Sequence, residues 1–421
     1  MRPNPLRALE KLRNVFRQCS GREKLALLRV LDRTRLGNAR LVGRLHEMLC
    51  FLRAYPDDAR TLAHAKRMLS GFARRADLRR HRDELESSGL AGTAIRYPFF
   101  WPTARWLARR WPRHLTLDRL DKAADRGIGK VFGVRSGFDA LDRIRPRPLG
   151  DAVYLIRLVE RMPGDSFAKE AFYDAIEPVL ELRPGPGTPS RTLAWHRAGP
   201  TFWQHAPLDR ARPDLRAEIR RAPRRVRKVP AREGARLIDL ARAAMVTRSR
   251  DMDAFAYGDP REVRIVEDAG GLAFVLNAMV AERHTATVAT YGALTLKNGV
   301  PIGYMDLGVA GSHVEIAFNT FPTFRGGETA RVFARTLAML RHVFRSETFG
   351  IDAYQLGRGN HEAIESGAWW FYYKLGFRPR AAAAKLLAHR ELERWRADRS
   401  YRSSEATLGK LARWPLIYRY H

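Results

Sequence analysis

Apolar residues recur along the first part of the chain with the period of a helix. After Ser20 they fall at Leu25, Leu28 and Leu31, and after Gly37 at Leu41, Leu45, Met48, Leu49 and Leu52. That spacing gathers one apolar stripe on one helix face. Ser20-Gly21-Arg22-Glu23 has the form of a capping box, with a hydroxyl for the third helical amide and a carboxylate reaching back. Pro56, Asp57 and Asp58 end that unit, and Leu62, Ala65, Met68, Leu69 and Phe72 mark the next helix. Residues 1 to about 90 are therefore expected to form a helical hairpin or small bundle.

The following segment has no single period. Tyr97, Phe99, Phe100, Trp101, Trp106 and Trp111 are interrupted by Pro98, Pro102 and Pro112, which rules out one long helix. Aromatics interleaved with Arg can stack bases, but they more often fill the joint between helices, and a core role is expected. Helical spacing returns over Ala152 to Met162 and Phe167 to Leu182. Pro184 to Ser190 supports neither helix nor ladder and is expected to be a linker. The Arg-rich run from Arg210 to Arg232 is expected to be a charged connector. Leu237, Leu240, Ala241, Ala244 and Met245 then open a second domain with a helix.

From Thr290 the period becomes that of strands. Tyr291–Leu296 and Ile302–Leu307 flank Asn298-Gly299, a pair suited to a type I′ turn because both central residues need positive φ. His313–Phe321 is a third strand, with Val314, Ile316 and Phe318 on one face. Phe324-Arg325-Gly326-Gly327-Glu328-Thr329-Ala330 leads into a helix with Phe333, Ala334, Leu337, Leu340 and Phe344 inward. Ile351–Leu356 is expected to be a fourth strand. Asn360–Leu375 is expected to be a second helix, capped by Gly376.

Two stretches of this series resemble the GNAT acyltransferase superfamily, over roughly residues 286–380. Pro322 to Ala330 is similar to the family's acyl-CoA pyrophosphate loop, in which Arg/Gln-x-x-Gly-x-Gly/Ala opens a helix after a strand. Tyr372-Tyr373-Lys374-Leu375-Gly376-Phe377 is similar to its Tyr-x-x-x-Gly-Phe. The resemblance implies an α+β fold: a helical amino-terminal domain, then a GNAT-like mixed β-sheet flanked by helices. It implies that Thr320, Arg325, Gly326, Gly327, Thr329, Ala330 and Asn360 bind the cofactor, acetyl-CoA or another acyl-CoA. It further implies Tyr372 as general acid and Glu315 as general base. The physical logic is that free amides at the positive end of a helix suit a pyrophosphate, and a phenol can protonate a departing thiolate. The sequence departs from the pattern twice. Glu328 stands where the family has Gly and would repel a phosphate. Asn360 lies four residues earlier than the family's Asn, whose place is taken by Ile364.

Composition adds one strong signal, a formal charge of +31 and a pI near 11. Such a field attracts polyanions, yet Arg is spread over the whole chain, as on a codon-biased surface. Cys19 and Cys50 are too few for a disulfide framework or a structural zinc site. No apolar run is long enough to span a membrane, and the amino terminus lacks a signal-peptide core, so a cytoplasmic protein is expected. His46-Glu47-Met48-Leu49-Cys50 lacks the second His of a zinc protease, and Gly127-Ile128-Gly129-Lys130-Val131 lacks the Ser or Thr of a phosphate loop. No metal site is expected.

The domains expected are therefore 1–183, helical; 184–232, linker; 233–390, acyltransferase-like; and 391–421, a basic, partly helical tail. The expected partners are acyl-CoA and an amine acceptor. Two alternatives stay open at this point: the same fold using aminoacyl-tRNA or another donor, and a non-catalytic basic protein that binds nucleic acid.

Overall fold

The computed structural model describes residues 4–17, 19–196 and 199–420. Contacts divide the chain into one unit of Met1–Ala206 with Ala235–Tyr257, and another of Pro207–Gly234 with Gly258–His421.

The first unit opens with helices Pro5–Lys11 (α1), Ser20–Arg33 (α2), Ala39–Ala54 (α3), Ala59–Ser70 (α4) and Ala76–Arg80 (α5). Leu28, Leu31, Val42, Leu45, Leu49, Leu52 and Met68 share one core, as the period predicts. The capping box does not form. Ser20 is already helical, and its hydroxyl lies 2.6 Å from Asp57 Oδ1 and 2.8 Å from the Arg17 carbonyl. Glu23 pairs with Arg17 instead. The competing interaction is a buried ion pair: Lys24 Nζ donates to both Asp57 oxygens, at 2.8 and 3.0 Å, and to the Val15 carbonyl at 2.9 Å. Burial lowers the lysine pKa and Asp57 opposes the shift. Asp57→Ala should cost about 3 kcal/mol, the lower end for a broken buried pair, because the ammonium keeps Val15 and can shed its proton. Urea unfolding checks this, and adding Lys24→Met should recover most of the loss.

The aromatic cluster is core. Phe99, Trp101 and Trp106 are buried, and helix α6 (Trp101–Arg110) carries Pro102 in its first turn, where no amide is lost. Strands β1 (Ile95–Tyr97), β2 (Leu115–Leu117) and β3 (Leu180–Leu182) form a small antiparallel sheet in the order β1-β3-β2. Helices α7 (Lys122–Phe132), α8 (Gly137–Ile144), α9 (Asp151–Arg161) and α10 (Ser166–Ile176) pack beside them. The helix expected to reach Leu182 stops at Ile176, because Glu177 turns left-handed ahead of Pro178 and releases Leu180–Leu182 to the sheet. The glycines at 127 and 129 sit inside α7 and form no phosphate loop.

The second unit takes in the Arg-rich run. Leu215–Arg220 is helix α11, and Arg225–Lys228 is strand β4, the edge of a nine-stranded sheet. This corrects the connector assignment. Arg335, 2% exposed, explains it: Nε donates to Asp268 at 2.7 Å, Nη2 to the Arg221 carbonyl at 2.8 Å, and Nη1 to the Glu218 carbonyl. The helix expected to open the second domain, α12 (Ala231–Val246), lies mostly in the first unit, followed there by α13 (Asp253–Ala256).

Strands β5 (Gly258–Glu267), β6 (Leu272–Met279), β7 (Ala289–Lys297), β8 (Val300–Ala310) and β9 (His313–Thr320) then run antiparallel, each beside the last. Asn298 and Gly299 have φ of 48° and 78° and close the β7–β8 hairpin as predicted. Helix α14 (Thr329–Phe344) leads to β10 (Thr348–Ile351), which pairs with β9 in parallel. The strand expected over Ile351–Leu356 ends at Ile351. Asp352 caps a short helix, α15 (Ala353–Leu356), its carboxylate accepting from the Tyr354 amide at 2.7 Å. Helices α16 (His361–Glu365) and α17 (Ala368–Leu375) precede strand β11 (Arg378–Pro379).

Residues 391–421 are not a tail. Helix α18 (Ala382–Ala397) extends into them, α19 (Glu405–Leu411) follows, and β12 (Leu416–Arg419) lies between β10 and β11. The chain is thus mixed α and β, with a large mixed sheet in its second unit. Among the described residues no helix is long and apolar enough to cross a membrane.

Candidate active site

The site begins where two neighbouring strands part. β10 pairs with β9 only over His313–Glu315, while β9 continues to Thr320. Among the described residues β9 has no strand on that side from Ile316 onward, because β10 gives way to the cap at Asp352. A pocket of about 410 Å³ fills the gap. Six of the candidate residues line it: Thr320 from β9, Arg325 and Gly326 from the following loop, Thr329 from α14, Asn360 capping α16, and Tyr372 from α17. Gly327 and Ala330 adjoin them in the chain but lie outside this wall.

The start of α14 has the electrostatics of an anion site. The first amide there with a protein acceptor is that of Val332, which donates to the Glu328 carbonyl at 2.8 Å. The amides of residues 326–331 find none among the described residues. The buried Thr329 Oγ1 also has no partner among the described residues. A sixteen-residue helix adds its positive end to these donors.

Glu328, the apparent obstacle, is neutralised. Its Oε2 accepts from Lys297 Nζ at 2.8 Å, both side chains are nearly buried, and Glu328 forms no part of the pocket wall. Burial lowers the pKa of Lys297 and the carboxylate opposes the shift. The lysine comes from the end of β7, beside the Asn298-Gly299 turn, so the hairpin supplies the counter-charge.

Arg325 is strapped across the mouth, Nε donating to the Thr320 carbonyl at 3.0 Å and Nη2 to Glu362 at 2.7 Å. An incoming phosphate would compete with Glu362 for it. Asn360 caps α16 through the Ala363 amide at 3.2 Å. The single helix expected over Asn360–Leu375 is broken at Ser366-Gly367, where Gly367 has φ of 66°. The two short helices on either side of that break bring Asn360 and Tyr372 to the same pocket.

Tyr372 is 4% exposed, with its ring against Phe333, Phe371 and Phe377. Burial raises its pKa above the ordinary tyrosine value, so the phenol is neutral and holds its proton. Glu315 is not brought to the pocket. Strand alternation sets it on the face opposite Val314, Ile316 and Phe318, exposed and opposite Gly350. Partial desolvation and the charge of Asp352 raise its pKa, against His313. It does not line the pocket.

No family model, no curated protein and no solved structure matches the chain.

Sequence reasoning missed Gln355 and Glu362, both in the pocket wall. Gln355 was legible as the second polar residue, after Asp352, in the segment Ile351–Leu356, and the pair argues against a buried strand there. Glu362 gave no signal, since its bond to Arg325 crosses the fold. Elsewhere, His46 is a buried structural residue, with Nε2 2.9 Å from Thr192 Oγ1 and Nδ1 3.1 Å from Glu47. Among the described residues no cluster of His, Cys, Asp and Glu could hold a metal.

Taken together the pocket offers unpaired amides and one arginine for a phosphorylated group, a strand edge for an extended chain, and a neutral phenol for proton donation.

Proposed function

We propose that the second unit is an acyl-CoA-dependent N-acyltransferase, moving an acetyl or other acyl group to an amine by direct attack on the thioester. The observation that carries this is the start of α14: a run of amides without acceptors beside the pocket holding Thr320, Arg325 and Tyr372, with Glu328 already paired. The pyrophosphate sits on those amides and draws Arg325 from Glu362. The pantetheine arm lies along β9 beyond Glu315, where no strand competes for the edge. The thioester then rests in the gap, the amine attacks its carbonyl carbon, and the C–S bond breaks as Tyr372 protonates the thiolate. Water takes the ammonium proton, since Glu315 lies outside the wall. Cys19 and Cys50 are free thiols, which fits a reducing cytoplasm.

The aminoacyl-tRNA and nucleic-acid-binding alternatives draw on the charge of +31. The Arg210–Arg232 run lends them less than expected, because it is folded into the sheet unit. Within it Arg221 pairs with Glu218, Arg227 with Glu233, and Lys228 with Glu262.

Thermal unfolding with millimolar acetyl-CoA tests the reading directly. A rise in melting temperature is expected, and its absence would sink the donor assignment. Lys297→Met sharpens the test. A lone charge about 8 Å from a phosphate at an effective dielectric near 20 costs about 2 kcal/mol. Acetyl-CoA affinity should therefore fall about 30-fold, and Lys297→Met with Glu328→Gln should restore most of it. Equal affinity in wild type and the single variant would show that the pyrophosphate lies elsewhere.

A further inference from the structure

The Gly127-Ile128-Gly129-Lys130-Val131 run of the first unit forms no phosphate loop, and its second glycine has another use. A Cβ on Gly137 would fall 2.5 Å from the Gly129 amide nitrogen, and one on Gly129 would fall 2.6 Å from the Val134 carbonyl oxygen. Only glycines let α7 and α8 meet this closely. Between them Gly133 turns left-handed with φ of 64°, and the Val134 amide donates to the Gly129 carbonyl at 2.9 Å. Ser136 then caps α8. The two helices form a tight pair whose turn is fixed by backbone bonds. That turn stands in the open, since a Cβ on Gly133 would meet nothing within 4 Å.

Aliphatic exposure is the first observation. Thirteen large apolar side chains are exposed among the described residues, and four of them, Leu120, Val131, Val134 and Ile144, belong to this helix pair and its ends. Exposed apolar residues scattered singly need no explanation, but a concentration does. Val131 and Val134 flank the turn, 46% and 39% exposed. Phe132 packs against the core and anchors the turn while the two valines face solvent.

Charge is the second. Lys122, Arg126 and Lys130 recur every four residues along one face of α7, and Arg135 follows in the turn; all four are exposed. None of the four makes an ion pair or a side-chain hydrogen bond among the described residues. The neighbouring cations are engaged: Arg119 and Arg145 pair with Asp142, and Arg143 donates to the Asp139 carbonyl at 3.2 Å. Of the four carboxylates in the helix pair, Asp142 is therefore paired and Asp121 caps α7. Asp125 accepts from the Ser136 hydroxyl and the Phe138 amide. Asp139 remains, in the first turn of α8, where the positive helix end offsets its charge. Like charges four residues apart destabilise a helix, so the stripe on α7 is a cost until an anion covers it.

We infer that the α7–α8 pair docks on an anionic lipid surface. Val131 and Val134 enter the boundary between headgroups and acyl chains, while Lys122, Arg126, Lys130 and Arg135 meet headgroup phosphates. Long basic side chains can lay their stems along the apolar boundary and keep their charge among the headgroups. A duplex reader would instead place the helix after the turn in a groove. Here that helix, α8, carries the exposed carboxylates Asp139 and Asp142, and the cations lie on the helix before it. The binding is peripheral, as no described helix is long and apolar enough to cross a membrane. The inference concerns the first unit and stands whether or not the second transfers acyl groups.

The test is cosedimentation of the full chain with vesicles of phosphatidylcholine and phosphatidylglycerol in equal parts, at about 0.15 M salt. Binding is expected to these vesicles and not to phosphatidylcholine alone. Val131→Ser with Val134→Ser leaves the charge unchanged and should weaken binding about tenfold. Lys130→Glu with Arg135→Glu should weaken it about a hundredfold. Arg22→Glu with Arg60→Glu makes the same charge change on α2 and α4 and should cost less than about threefold. Val134→Trp should tighten binding, because tryptophan favours the membrane interface. All these side chains are exposed, so melting temperatures should not move. A short DNA duplex, read by anisotropy, is the competing probe. The inference falls if the chain stays with the supernatant, if the serine pair binds like wild type, or if the α2 and α4 control loses as much as the turn variant. It also falls if the turn variant loses the duplex and keeps the vesicles.

Discussion

Tyr372→Phe should lower the rate of acyl transfer about 10²- to 10⁴-fold, the usual contribution of a positioned general acid, and leave acetyl-CoA affinity nearly unchanged. The expectation rests on place and protonation. The phenol lines the pocket at the parting of β9 and β10, and its burial keeps it neutral. The ring packs on Phe333, Phe371 and Phe377, and a phenylalanine preserves those contacts, so folding should survive. Thiol release from acetyl-CoA over a panel of primary amines measures the rate, and calorimetry measures the affinity. Loss of rate at unchanged affinity is the signature of an interaction made only in the transition state. Full activity in the variant would remove Tyr372 from the chemistry and leave the donor site standing.

Arg335→Met should destabilise the protein by about 4–5 kcal/mol, the upper end for breaking a buried charge pair. Asp268 is 7% exposed and would lose its guanidinium partner, and the Glu218 and Arg221 carbonyls would lose their donor. A buried acceptor left bare costs its own desolvation in addition. Arg331→Met provides the contrast. Its pair with Asp209 is 3.8 Å long and exposed, so the loss should stay within about 1 kcal/mol. Urea unfolding followed by tryptophan fluorescence distinguishes the two, and equal losses would show that Arg335 does not bind the 207–234 segment to the sheet. Limited proteolysis should also find that segment opened first in Arg335→Met.

The parts of this architecture that local sequence specifies were legible. The amino-terminal helices followed their apolar period, Asn298-Gly299 announced its hairpin, and α14 and Gly376 appeared where predicted. The pocket was legible because its residues cluster in two short runs around Arg325 and Tyr372. What failed depends on partners distant in sequence. β6 is buried along its whole length, so no alternation distinguished it from a helix. β4 looked like a charged connector because an edge strand can carry Arg225, Arg227 and Lys228 outward. The role of Glu328 depended on Lys297, thirty-one residues earlier, and no local pattern predicts that pairing. Glu315 was misplaced because resemblance carried a residue type to a strand without fixing which face it occupies.

The position of β12 bears on how this sheet is completed during synthesis. β10 and β11 both hydrogen-bond to it, yet both leave the ribosome before it does. Until Leu416–Arg419 emerges, each carries a bare edge open to association with other nascent chains. A premature stop after α18 would make that transient state permanent, and the expected product is aggregate, not a shortened folded protein.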